Sequence, residues 1–303
     1  MSTLSWHGEL SAAERDAVQA LISQARRADG VAPIGEQAIR ELSAPNGAHL
    51  LAADPTGAVV GYLNLTPQGT AELVVDPAAR GRGIGTAMVT AARARIGAPV
   101  QIWAHGTLPA AQALAAKLGL RASRRLVQMR RQLNAVPEPV IPQGISIRPY
   151  AGSRDDPELL RVNNAAFSWH PEQGGWTQRD LAERFAEPWF DPGGLFLAFD
   201  ERGALRGFHW TKIHDGRTGE VYVLGVDPTA QGRGLGRALT AVGLDHLRRR
   251  LGSQAAVILY AESDNAAAIN TYESLGFRRS RTDTGYSADL TRNAVHPSFT
   301  DHH

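Results

Sequence analysis

The chain has 303 residues, of which 43% are apolar and 20% charged, and its formal net charge is +2; this is the makeup of a globular protein about two domains long, and it excludes a disordered, collagen-like or strongly basic nucleic-acid-binding chain. Cysteine is absent, which removes disulfides, thiolate metal sites and a cysteine nucleophile together. No apolar run approaches the ~18 residues of a membrane span and no basic segment followed by an apolar one opens the chain, so a cytoplasmic protein with neither membrane nor nucleic acid as partner is expected.

In chain order, Ser11 to Arg27 reads as a helix, with Ser11 as N-cap, Glu14 completing a capping box, and Ala17, Leu21 and Ile22 on an apolar stripe. Short β-like runs follow at Ala58–Leu65 and Ala71–Val75, then a glycine-rich turn and a helix. Three prolines lie within Asn134–Gln143, a stretch that resists helix and favours an extended linker. The second half repeats the order: a helix over Asp156–Phe167, strands at Leu195–Phe199 and Val221–Val226, a glycine-rich turn and a helix ending in Arg248-Arg249-Arg250. These arginines read as a solvated face that complements the helix dipole. Both halves are α+β.

The halves are also copies of each other. Val75-Asp76-Pro77-Ala78-Ala79-Arg80-Gly81-Arg82-Gly83-Ile84-Gly85 aligns with Val226-Asp227-Pro228-Thr229-Ala230-Gln231-Gly232-Arg233-Gly234-Leu235-Gly236 at a constant offset of 151, and Lys117-Leu118-Gly119-Leu120 aligns with Ser274-Leu275-Gly276-Phe277 at 157. One domain has been duplicated. Closely spaced glycines opening a helix leave several N–H groups pointing outward at a positive dipole end, a cradle for a pyrophosphate. The spacing lacks the third interval of a dinucleotide fingerprint, and no Gly-Lys-Ser/Thr follows. Gly225 interrupts the apolar run Val221–Val226, which marks either a bulge or a close backbone approach; a bulge would free N–H groups for a thioester oxygen.

The second copy, followed by Asp264-Asn265-Ala-Ala-Ala-Ile-Asn270-Thr-Tyr272-Glu-Ser-Leu-Gly276-Phe277, resembles the GNAT superfamily of acetyl-CoA-dependent N-acetyltransferases. The resemblance implies two tandem GNAT domains, each a mixed, mostly antiparallel central sheet flanked by helices. With the Pro-rich stretch as boundary, this gives a first domain over 1–136, a linker over 137–143 and a second domain over 144–292, to which catalysis is expected to belong; the tail over 293–303 is expected to be disordered. By the same resemblance Gln231, Gly232, Arg233, Gly234, Leu235, Gly236 and Arg237 hold the CoA pyrophosphate. Leu224, Gly225 and Val226 pair with its pantetheine arm, and Asn265 and Asn270 complete the cofactor site. Leu73, Val74, Val75, Arg80, Gly81, Arg82, Gly83, Ile84 and Gly85 are the first-half counterparts. Glu220, a carboxylate at the edge of buried surface, is the candidate general base; a solvated strand end is the other reading. Tyr272 shares a helical face with Asn265 and stays protonated at neutral pH, so it is the candidate acid for the departing thiolate. Transfer is then direct, without metal or covalent enzyme intermediate.

The first half lacks these groups: Ala115 stands opposite Tyr272, Ala113 opposite Asn270, Leu108 opposite Asn265 and Gly69 opposite Glu220. Its cradle is intact, so it is expected to bind CoA without turning it over. The segments Phe167–Trp176, Gly207–His214 and Gly219–Pro228 resemble the tandem branch that acetylates the cysteinyl amine of a cysteinyl-glucosamine-inositol. That resemblance places Glu172, Lys212, Glu220, Tyr260 and, from the first half, Glu36 around the substrate. Lys212 stands out because it and Lys117 are the only lysines among 32 Lys and Arg. His170, Trp169, Trp176, Trp189 and Trp210 read as loop or packing residues. A tandem protein acting on another amine or a protein N-terminus, and a non-catalytic CoA-binding module, are the alternatives. A monomer is expected, the duplication standing in for a dimer.

Overall fold

The computed structural model describes residues 2–97, 99–169, 173–214 and 216–288. Its elements in chain order are β1 (Thr3–His7), α1 (Ala12–Asp29), α2 (Glu36–Glu41), β2 (His49–Ala53), β3 (Val59–Leu65), β4 (Thr70–Val75), α3 (Ile84–Ile96), β5 (Gln101–Ala104), α4 (Pro109–Lys117) and β6 (Arg121–Gln132), followed by β7 (Ile145–Pro149), α5 (Asp156–Ala166), α6 (Gln178–Phe185), β8 (Leu195–Asp200), β9 (Leu205–Ile213), β10 (Thr218–Val226), α7 (Leu235–Leu251), β11 (Ala256–Glu262), α8 (Ala266–Ser274) and β12 (Arg278–Ser287). The predicted first helix is α1: the Ser11 side chain accepts from Glu14 N, Glu14 answers at the Ser11 N–H, and Gly30 closes the helix in the left-handed region. Within the described residues no helix is long and apolar enough to cross a membrane.

The contacts divide the described chain into two units, residues 2–126 with 281–288, and residues 127–280. Each is α+β, with a mixed, mostly antiparallel sheet flanked by helices. In the first, β1, β2, β3 and β4 run antiparallel, β5 joins β4 in parallel, and β12 pairs antiparallel with β5 through Thr284↔Ala104, Gly285↔Trp103 and Tyr286↔Ile102. In the second, β7, β8, β9 and β10 run antiparallel, β11 joins β10 in parallel, and β6 lies beside β11. So each unit receives its sixth strand from the other half of the sequence. A cut within 137–143 therefore differs from the division by contacts at both ends, since residues 127–136 pack with the second unit and 281–288 with the first. Composition marks where a chain is extended, and it carries no record of which strand a distant segment joins. The expected tail, 293–303, lies outside the described residues.

The period of the strands explains the layers. Leu50 and Ala52 of β2 enter a core with Met88 and Val89 of α3, while Leu51 between them enters one with Val18 and Leu21 of α1. In the second unit Leu195 and Leu197 face Leu159 and Val162 of α5, and Phe196 and Ala198 face Leu235 and Leu239 of α7. Trp176 and Trp210 are buried in the α5 layer, with Trp189 packed against it, in keeping with their reading as packing residues. Arg248 and Arg249 pair with Asp245, and Arg250 with Asp191, on the last turn of α7.

A cluster of charges around the buried Asp283 links β4, β5 and β12 of the first unit. His105, directly after β5, has Nδ1 3.2 Å from Asp283 Oδ2 of β12 and Nε2 3.3 Å from Glu72 Oε2 of β4. Asp283 also accepts from Gly106 N, and Glu72 from Gly35 N at the start of α2. Burial alone would pull the imidazole down, but its interactions as a donor to the Asp283 and Glu72 carboxylates outweigh it and raise its pKa to about 9.

Candidate active site

The site of the second unit is set by how β10 leaves its neighbours. The parallel ladder to β11 runs through Thr218↔Ala256, Gly219↔Val257 and Glu220↔Ile258. No pair to β11 follows among the described residues, although β10 continues to Val226. On its other side β10 stays paired with β9 throughout, except that two steps from Val221 to Val223 answer one step from Thr211 to Trp210. The bulge is thus at Tyr222, where no glycine marks it. Gly225 instead meets the second expectation: a Cβ there would lie 2.5 Å from Phe208 Cε1. Along this run Val221, Val223 and Gly225 are buried while Tyr222, Leu224 and Val226 are half-buried. Gly225→Ala is expected to destabilise the protein by ~1–3 kcal/mol through overpacking against Phe208, read as a lower urea midpoint; an unshifted midpoint would show that Phe208 can yield.

After β10, Asp227 shapes the turn by accepting from Thr229 N and Oγ1, and Arg161 of α5 donates to it at 2.7 Å. Burial pulls this carboxyl up, yet the Arg161 and Thr229 hydrogen bonds prevail and hold it at about 2. Gly232 and Gly234 have φ of 74° and 80°, the left-handed region, with open space where a Cβ would be. The helices α1 and α6 carry capping boxes, whereas α7 starts at Gly234 with no side-chain cap. Its first N–H groups are left for an anion. Gln231 donates to Val226 O, and Arg237 reaches Ser274 of α8. These residues fit a pyrophosphate by backbone geometry more than by side-chain charge.

Tyr272 lies on α8, 7% exposed, its ring edge-on to Phe277. Its hydroxyl makes no hydrogen bond among the described residues, and burial raises its pKa further above neutrality. Asn265 is the N-cap of α8, its side chain accepting from Ala268 N, and Asn270 is exposed on the same helix. Glu220 lies inside β10, which begins at Thr218, earlier than the apolar run suggests. Its Oε2 is 2.8 Å from His214 Nε2, at the end of the β9–β10 hairpin. Motif reading reached His214 only as the end of the segment Gly207–His214 and gave it no role; hairpin pairing across six residues brings it to Glu220. Lys212 stands opposite Glu220 in the register, buried, with Nζ 4.7 Å from the Trp189 ring centre and 5.6 Å from that of Tyr222. Tyr260 is 40% exposed on β11 and receives a hydrogen bond from Gln128. Glu172 and His170 lie outside the described residues.

The first unit repeats the plan with other contents. Its parallel ladder ends at Glu72↔Trp103, so Glu72 holds the place that Glu220 holds in the second unit. The linear offset had set Glu220 against Gly69, because it cannot count the longer strand and its bulge. Here α3 too starts uncapped, at Gly83 with φ 85°. Arg80, expected on the pyrophosphate, donates through both its terminal nitrogens to Asp29 at 2.6–2.8 Å and is already neutralised. Arg82 donates to Ala78 O. A cavity of about 450 Å³ is lined by Leu73, Val74, Val75, the glycine turn at Arg80, Gly81, Gly83, Ile84 and Gly85, and His105. Leu108, Ala113 and Ala115, opposite Asn265, Asn270 and Tyr272, line it as well. Glu36 opens α2 beside Gly35, whose N–H is held by Glu72.

Residues 161–277 match the model of the Acetyltransferase (GNAT) family and residues 45–120 that of an Acetyltransferase (GNAT) domain. The chain is 55% identical to the mycothiol acetyltransferase of Mycobacterium marinum (strain ATCC BAA-535 / M) over 95% of its own length and 97% of that protein. It is 54% identical to the mycothiol acetyltransferase of Mycobacterium sp. (strain JLS), over 95% and 99%. Among solved structures it is similar in fold to a GCN5-related N-acetyltransferase from Sphaerobacter thermophilus, with TM-score 0.75, 21% identity and 95% and 96% of the two chains covered. A tandem GNAT protein from the clavulanic acid biosynthesis pathway gives 0.74, 19%, 96% and 99%.

Proposed function

The chain belongs to the mycothiol acetyltransferases, tandem members of the GNAT family, and from this we propose that its second unit acetylates the cysteinyl amine of 1D-myo-inositol 2-(L-cysteinylamino)-2-deoxy-α-D-glucopyranoside, with Glu220 as base and Tyr272 as acid. The observation that carries the assignment is their joint presence in one unit: a carboxylate where β10 parts from β11 and a buried hydroxyl on α8, in the unit whose α7 is left uncapped. Acetyl-CoA supplies an activated acetyl group as a thioester. Gln231 to Arg237 would hold its pyrophosphate, Leu224 to Val226 its pantetheine arm through backbone groups, and Asn265 and Asn270 would complete the site.

Glu220 receives a proton from the substrate nitrogen, directly or through water, and Tyr272 donates one toward the sulfur. Lys212, Tyr260 and Glu172 are proposed to meet the pseudo-disaccharide with donors and acceptors, and Glu36 to add a carboxylate. The cradle of the first unit, Leu73 to Val75 and Arg80 to Gly85, is proposed to bind CoA without turnover, since apolar residues occupy the places of Asn265, Asn270 and Tyr272. A cytoplasmic monomer completes the reading. Incubation with acetyl-CoA and the cysteinyl pseudo-disaccharide should give the N-acetylated product by mass spectrometry, and Glu220→Gln should slow it ~100-fold; turnover of other amines but not this one would overturn the substrate assignment.

A further inference from the structure

We propose that His214 is the proton outlet of this reaction: it positions the Glu220 carboxylate and takes from it the proton that must leave the site in each turnover. The inference rests on the assignment of Glu220 as base. The proton count requires an outlet. An ammonium and an acetyl thioester become an amide, a thiol and one free proton; a C–N bond forms as the C–S bond breaks, the sulfur keeps one proton, and the other must reach water.

Glu220 is poorly placed to release it alone. Its side chain is 12% exposed, and its backbone is paired with Lys212 on one side and Ile258 on the other. His214, 2.8 Å from Glu220 Oε2, is more open at 25% and sits at the end of the hairpin. In the tautomer with Nε2 unprotonated, the ring accepts the proton that Glu220 has taken from the substrate nitrogen, and the imidazolium then gives it to bulk water. Imidazole is the side chain suited to exchange a proton with water near neutral pH. Among the described residues, Lys212 of β9 is the charged group paired opposite Glu220 in the register, and Arg217 follows in sequence just ahead of β10.

His214→Ala should lower kcat by ~10–100-fold with unchanged acetyl-CoA KM and thermal midpoint, and imidazole added to the buffer should restore a substantial part of the loss. His214→Gln, which can still hydrogen bond to Glu220 but cannot carry a proton, should be equally slow. Wild-type kcat in either variant overturns the outlet, the second by showing that His214 only anchors Glu220. Glu220→Gln is run alongside: it should be slow and insensitive to imidazole. A fast Glu220→Gln removes the base assignment itself, a result separate from fast His214 variants beside a slow Glu220→Gln.

Discussion

Tyr272→Phe is expected to lower kcat about 100-fold while leaving the KM for acetyl-CoA within about twofold. The substitution removes one oxygen and keeps the ring, which is 7% exposed and packed edge-on against Phe277, so the fold has little to adjust. The hydroxyl has no hydrogen bond to lose among the described residues. The effect should therefore fall on the transition state alone, as a drop in kcat and kcat/KM together. Burial sets the size of the effect from two directions. By raising the pKa of the phenol it guarantees a proton at every pH where the enzyme works, and by the same shift it makes a weaker acid. General acid catalysis spans ~10²–10⁴-fold, and the weaker acid points to the lower end. Single-turnover rates isolate the chemical step; an unchanged rate there would strip Tyr272 of its role.

The second large effect concerns stability. His105 is held at a pKa of about 9, above the ~6.5 of a free imidazole. A raised value means that the folded state binds the proton more tightly than the unfolded one. The stabilisation is then complete below about pH 6.5, declines as the pH rises, and is gone above about 9. Its size is about 3 kcal/mol. His105→Leu should cost a similar amount at pH 6, ~3 kcal/mol, because it removes the cation between Glu72 and Asp283 and leaves Asp283 with Arg281 as its ion-pair partner. Urea unfolding of the wild type at pH 6 and pH 9.5 should differ by most of that amount, and the variant should lack the difference. A wild-type curve flat across this range would show that the imidazole is not charged in the folded protein.

How much of this could be read beforehand depends on whether the signal is local. The helix α1 carries its start in Ser11 and Glu14 and its end in Gly30, and the structure uses all three. The glycine turns were legible because a left-handed backbone selects glycine at Gly81, Gly83, Gly232 and Gly234. Tyr272 and Glu220 were proposed from a motif and a strand edge. What stayed hidden is what pairing decides. The bulge at Tyr222 has no residue signature, and it adds to the greater length of β10, so that Glu72, not Gly69, takes the place of Glu220. His214 is made relevant by the hairpin, and His105 by a partner in β12. Arg80 kept its family position but is committed to Asp29, a residue on α1 that no linear motif connects to it.

The exchange of β6 and β12 bears on how such a protein is made. The hydrogen bond from Gly106 N to Asp283 spans 177 residues, a separation that slows folding, because the loop must close before the contact repays it. As the chain leaves the ribosome, β1 to β5 emerge long before β12, so the first unit waits with an open sheet edge until nearly everything else has been synthesised. An exposed edge in that interval is a template for pairing with another chain. It follows that a cut at the Pro-rich stretch would leave each half of the sequence without a strand of its own unit, and that shielding the edge of β5 during synthesis should raise the yield of folded protein.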